Sequence, residues 1–126
     1  MSEPGTVRPL KATAALEFGA GLPMVGLPAV TAGLLGVAWS PTTDVLIRLF
    51  GAAICVLGAL AWIAAAENDS LGRRAGWAFT SYHVAAALIL VYGLGIGVLG
   101  GAVASGAFIA HLVLAGVLAR ALTAEG

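Results

Sequence analysis

Residues 45–66 read VLIRLFGAAICVLGALAWIAAA, an apolar run whose only charge is Arg48. A bilayer hydrocarbon core about 30 Å thick takes roughly 20 helical residues, and this run meets that length. The same pattern recurs on either side, with spans at about 15–39, 43–66, 75–99 and 102–122 and nearly all charges between or beside them. Residues 1–126 are therefore predicted to be a single four-helix transmembrane domain.

Composition agrees. Of the 126 residues 60% are hydrophobic and 10% charged, with a mean hydropathy of +1.02, more apolar surface than a water-soluble domain of this length buries. Backbone amides in hydrocarbon must be satisfied within the structure, which allows only helices or a closed barrel. The runs lack the period-2 alternation of a barrel strand, so the expected fold class is an all-α integral membrane bundle. The first 16 residues contain Pro4, Gly5 and Pro9 and no compact apolar segment, so no cleaved signal is expected.

If the four helices alternate, Arg8, Lys11, Arg73, Arg74 and Arg120 fall on one side and only Arg48 near the other. The positive-inside rule then places both the N and the C terminus in the cytoplasm, in a multi-pass protein of the inner (cytoplasmic) membrane. A net charge of zero gives no sign of a nucleic-acid partner. Cys55 is the single cysteine, so no disulfide forms within the chain.

Punctuation between the spans has physical meaning. Ser40 is a candidate N-cap, with Pro41 at the first helical position and Asp44 in the first turn. Asn68, Asp69, Ser70 and Gly72 make a short polar loop before Arg73, and Gly100-Gly101 breaks spans three and four into an antiparallel hairpin. Pro23 and Pro28 each remove an amide donor from the first span and kink it. Gly93, Gly97 and Gly101 have the spacing of a small-residue contact face. Trp39, Trp62 and Trp77 fall near span ends, where an aromatic belt is expected.

Ionisable groups inside the apolar runs carry the functional information, because each costs several kcal/mol unless paired, hydrated or neutral. They are Glu17, Arg48, His83 and His111. Arg48 follows Asp44 by one helical turn and is placed to pair with it and snorkel. His83 lies nine residues past Arg74 and His111 nine before Arg120, so both sit about 13 Å from basic anchors. On neighbouring antiparallel helices they share one level, and Glu17 lies about 4 Å shallower. Gly76, Thr80, His83 and Ala87 line one side of span three, and Ala104, Ala107, His111 and Ala115 one side of span four. A Glu-His-His cluster is geometrically allowed.

Three functions are compatible with this cluster. The first is a non-enzymatic accessory or scaffold subunit, packed against other membrane subunits or its own copies, in which the histidines bond Ser81, Tyr82, Ser105 or a backbone carbonyl. The second is a redox or photosynthetic subunit with His83 and His111 as ligands of haem b or chlorophyll. The third is a proton-coupled small-molecule transporter using Glu17. No metal-ligand spacing motif occurs, and no GxxxxGK[ST], GxSxG, HExxH or CxxC. Ser81 points about 100° away from His83, so no nucleophile and base share a face. No catalytic residue is assigned, and enzymatic activity is not expected.

In layout the chain resembles the small four-helix bacterial membrane proteins of the DoxX-like and DUF4345-like group. The resemblance rests on Ile47-Arg48-Leu49-Phe50-Gly51-Ala52-Ala53 followed by Leu57-Gly58, the polar loop with Arg73-Arg74, and a histidine in the third span. It extends over about residues 15–122 and implies a four-helix bundle, with some members linked to membrane redox complexes. It implies no catalytic residues. Glu17 in the first span also invites comparison with the small multidrug transporters, whose carboxylate is placed deeper and among aromatic residues that this chain lacks.

Overall fold

The computed structural model describes residues 5–67 and 70–124. Five helices follow in chain order: α1 (Val7–Gly26), α2 (Pro28–Leu34), α3 (Pro41–Ala66), α4 (Ser70–Gly95) and α5 (Gly101–Ala124). Three stretches, Pro41–Ala66, Gly72–Gly95 and Gly101–Ala124, are long and apolar enough to cross a membrane, and a fourth if α1 and α2 count as one span. Among the described residues the fold is all-helical, and these apolar helices suggest a multi-pass membrane protein.

The first apolar run departs most from expectation. It begins at Val7 and forms two helices bent by 119° at the break, where a single kinked span over 15–39 was expected. The cause is local. Pro28 has no amide hydrogen for the ladder and disfavours helical dihedrals at the residue before it, and Leu27 takes φ −132° and ψ 54°. Pro28 then opens α2 at a position where no donor is needed. Pro23 lies inside α1 without ending it.

Elsewhere the punctuation acts as expected. The Ser40 hydroxyl accepts the Thr43 amide at 3.1 Å, Pro41 opens α3, and Asp44 sits in its first turn. Of the anticipated polar loop, Asn68 and Asp69 lie outside the described residues, and Ser70 and Gly72 are not in a loop but in the first turn of α4. Gly97 and Gly101 do not continue a contact face along one helix: both have positive φ where the chain reverses, Gly97 in the connection after α4 and Gly101 as the first residue of α5, where a Cβ would meet the Leu34 carbonyl oxygen at 3.3 Å. Gly97 is the left-handed residue of a Schellman turn, with its amide bonded to the Leu94 carbonyl and that of Val98 to Gly93. Gly36 ends α2 in the same way. The two turns abut, and the Gly100 amide donates to the Leu35 carbonyl at 3.0 Å.

Packing divides the bundle into two antiparallel pairs, α1 on α3 and α4 on α5. In lipid there is little hydrophobic drive between helices, so close backbone approach must supply the attraction. Gly21 and Gly51 provide it: a Cβ on Gly21 would meet the Gly51 carbonyl oxygen at 2.7 Å and Cys55 Sγ at 2.6 Å. Gly76 of α4 takes the Leu122 side chain of α5 in a similar way. The two pairs meet in a core of Leu10, Ala14, Ala61, Ala64, Phe79 and Leu118. Outward faces are apolar, among them Leu49, Phe50, Leu88, Ile89 and Val113, as a lipid solvent requires. Trp39, Trp62 and Trp77 are exposed, in keeping with an interfacial belt.

Candidate functional site

On α1, Thr13 and Glu17 are one helical turn apart and both buried. Facing them on α4 are Tyr82 and His83, and beyond these His111 on α5. Glu17 is 2% exposed and His83 0%, so the polar groups meet inside the bundle.

Thr13 Oγ1 and His83 Nε2 are 3.0 Å apart, and His83 Nδ1 and His111 Nδ1 are 2.7 Å apart. The Tyr82 hydroxyl donates to Glu17 Oε2 at 3.0 Å. Two tautomer arrangements satisfy these contacts. Either His83 donates from Nε2 to Thr13 and accepts from His111, or Thr13 donates to His83, whose Nδ1 hydrogen then points at His111. Both place one proton between the two Nδ1 atoms. Tyr82 also packs against both imidazoles, its ring centroid 5.1 Å from that of His83 and 5.7 Å from that of His111. One donor atom from each of Glu17, His83 and His111 lies within 4.8 Å of the others.

Among the described residues, Glu17 Oε1 is buried without a hydrogen-bond partner. A buried carboxylate oxygen left unmatched costs on the order of 1–3 kcal/mol or more, a cost absent if a ligand completes it.

Cavities lie to both sides of this group. One of about 490 Å³ lies beside the broken corner and is walled by residues of all five helices, including Glu17, Pro23, Thr31, Leu34, Ile54 and His111. The second, of about 380 Å³, lies between α3 and α4 near Glu67 and Ala75 and reaches Tyr82. The first is toward the α4–α5 turn and the second toward the opposite end of the bundle. The hydrogen bond from Tyr82 to Glu17 lies where they approach one another.

The structure thus brings together the three residues expected to cluster, Glu17, His83 and His111. It also reassigns the partners expected for the histidines. Ser81 and Ser105 bond carbonyls of their own helices, Trp77 and Gly101, and not the histidines. The histidine partner is Thr13, and Tyr82 serves Glu17. Thr13 was detectable as the polar residue one turn before Glu17 on the same face.

Arg48 stands apart from the cluster. Its Nε bonds Asp44 Oδ2 at 2.8 Å, as expected, and its Nη1 donates to the carbonyl of Val25 beside the α1–α2 break. The side chain therefore braces the bend from α3.

These features define a small helical bundle with three to four apolar helices of membrane-spanning length, a buried carboxylate and two histidines in contact. No family model, curated protein or solved structure matches the chain.

Proposed function

We propose that this protein is a proton-coupled carrier of small cationic solutes, with Glu17 as the intramembrane acceptor and Thr13, Tyr82, His83 and His111 as its surround. The observation that carries the reading is the position of the Glu17–Tyr82 hydrogen bond between two cavities toward opposite ends of the bundle. An intramembrane carboxylate is expensive and marks a pathway by default. When it releases a cation into one cavity it is left uncompensated in hydrocarbon, and a proton is the smallest replacement that restores neutrality.

An accessory role gives no account of a buried carboxylate oxygen without a partner. Ligation of haem between the histidines requires a macrocycle to separate imidazoles whose nitrogens are 2.7 Å apart. The DoxX-like layout adds no residue role to either alternative.

Orientation in the proposed cytoplasmic membrane follows the basic residues. The antiparallel pairs bring the starts of α1 and α4 and the end of α5 to one end, with Arg8, Lys11, Arg73, Arg74 and Arg120, and leave Arg48 toward the other. This supports cytoplasmic termini. Reporter fusions at both ends check it, and a periplasmic signal from either overturns it.

The functional test uses proteoliposomes with an acidic, dye-loaded lumen. Ethidium and Co²⁺, added separately, are expected to dissipate the pH gradient with the wild-type chain, and Glu17→Gln to abolish the response. No response to either cation, or an equal response from Glu17→Gln, overturns the carrier reading.

A further inference from the structure

Three observations coincide at one point in the bundle. The first is donor chemistry: two imidazoles and one carboxylate, each from a different helix, with donor atoms within 4.8 Å of one another. The second is an unused donor, because Glu17 Oε1 is buried and has no partner. The third is a fixed ring. His83 is fully buried, and with its Nε2 committed to Thr13 its Nδ1, now shared with His111, is the nitrogen that can face a ligand. A hydrogen bond from the far nitrogen of an imidazole is the arrangement that orients metal-binding histidines.

We infer that Glu17, His83 and His111 form an intramembrane binding site for one divalent first-row transition-metal ion, of zinc or cobalt character. The inference rests on reading the cluster as a cation site, and not on transport. Nitrogen and carboxylate donors in this ratio suit borderline divalent ions, and three protein ligands leave a fourth position open. Glu17 and His111 both line the 490 Å³ cavity, so that position is reached from it.

The rearrangement is small. In a tetrahedral site with metal–nitrogen distances near 2.0–2.1 Å, two donor nitrogens lie about 3.3 Å apart. The His83 and His111 Nδ1 atoms, at 2.7 Å, must therefore separate by about 0.6 Å, a modest ring movement. The proton between the two Nδ1 atoms moves to the Nε2 of whichever ring carries it, so that both rings stay neutral with Nδ1 open to the ion and the His83 Nε2–H donates to Thr13, and the carboxylate enters in its ionised form, releasing any proton it held. Tyr82 keeps its bond to Oε2 and leaves Oε1 for the ion. No sequence motif announces the site because its ligands come from α1, α4 and α5, separated by 66 residues (17 to 83) and 28 residues (83 to 111).

The test is Co²⁺ binding to the full chain in lipid nanodiscs, with any affinity tag removed, followed by visible absorption and metal analysis. Expected are one ion per chain, the intense ligand-field bands of a four-coordinate site, and displacement by Zn²⁺. Thr13→Val should weaken binding by about 10- to 100-fold while leaving all three ligands in place. Pulsed electron paramagnetic resonance of the wild-type chain loaded with Cu²⁺ should show two coupled imidazole nitrogens, a result that requires no variant to fold. Failure to bind Co²⁺ overturns the inference, as does a pale six-coordinate spectrum or Cu²⁺ coupled to fewer than two imidazoles. Binding without flux defeats the carrier reading alone, and ethidium flux without metal binding defeats the metal site alone.

Discussion

His83 Nδ1 and His111 Nδ1 meet at 2.7 Å across the α4–α5 interface, so only one of the two can present an N–H to the other. The contact makes the histidines one unit. Their substitution effects should not add. His83→Ala, which removes the fully buried ring with two partners, is expected to cost about 1–3 kcal/mol, and His111→Ala less. A double-mutant cycle by SDS unfolding should give a coupling of about 0.5–3 kcal/mol. Additive effects would show that the contact does not form.

Tyr82 is the side-chain donor to Glu17 Oε2. Tyr82→Phe keeps the ring but leaves a second carboxylate oxygen unmatched, and should destabilise the protein by about 1–3 kcal/mol in the same unfolding assay. In a Glu17→Gln background the penalty should shrink, since no charge then depends on the hydroxyl.

Glu17→Gln itself separates stability from function. Removing a buried charge with one unmatched oxygen should leave unfolding stability within about 1 kcal/mol of wild type, or raise it, while cation-driven flux is lost. A stability loss of several kcal/mol would make the carboxylate a structural element.

Close approach of α1 and α3 depends on two glycines. A Cβ on Gly51 would lie 2.6 Å from Met24 Cβ and 2.8 Å from the Gly21 carbonyl oxygen, both difficult to displace. Gly51→Ala should cost about 1–3 kcal/mol in the unfolding assay through forced separation of the helices.

Arg48 joins α3 to the Val25 carbonyl at the corner. Replacing it with Gln should loosen α2. Spin labels at Val30 and Val103, both exposed, in a Cys55→Ala background should show a narrow distance distribution with Arg48 and a broad one without it. Unchanged widths would show that the turn contact between Gly100 and Leu35 is sufficient.

Apolar length was plain in the sequence and so were the polar interruptions, because the membrane solvent penalises both strongly. Equal spacing of His83 and His111 from their arginines placed them at one level, and α4 and α5 bring them into contact. What could not be read was the angle at Pro28. A proline announces a missing donor, but the 119° bend depends on what the freed chain packs against. The pairings of Thr13 and Tyr82 were hidden for a related reason: their partners lie 70 and 65 residues away, and helix periodicity tells which face a residue is on, not which helix comes to meet it.

Division into an α1–α3 pair and an α4–α5 pair has a mechanical consequence. One pair is stiffened by backbones in near contact at Gly21 and Gly51 and the other by Leu122 seated on Gly76, whereas the seam between them carries the hydrogen bonds of Thr13 to His83 and Tyr82 to Glu17. For the carrier proposed above, this division puts the moving seam at the carboxylate itself: tilting one half against the other would open the space beneath α2 in one direction and the space beside Tyr82 in the other.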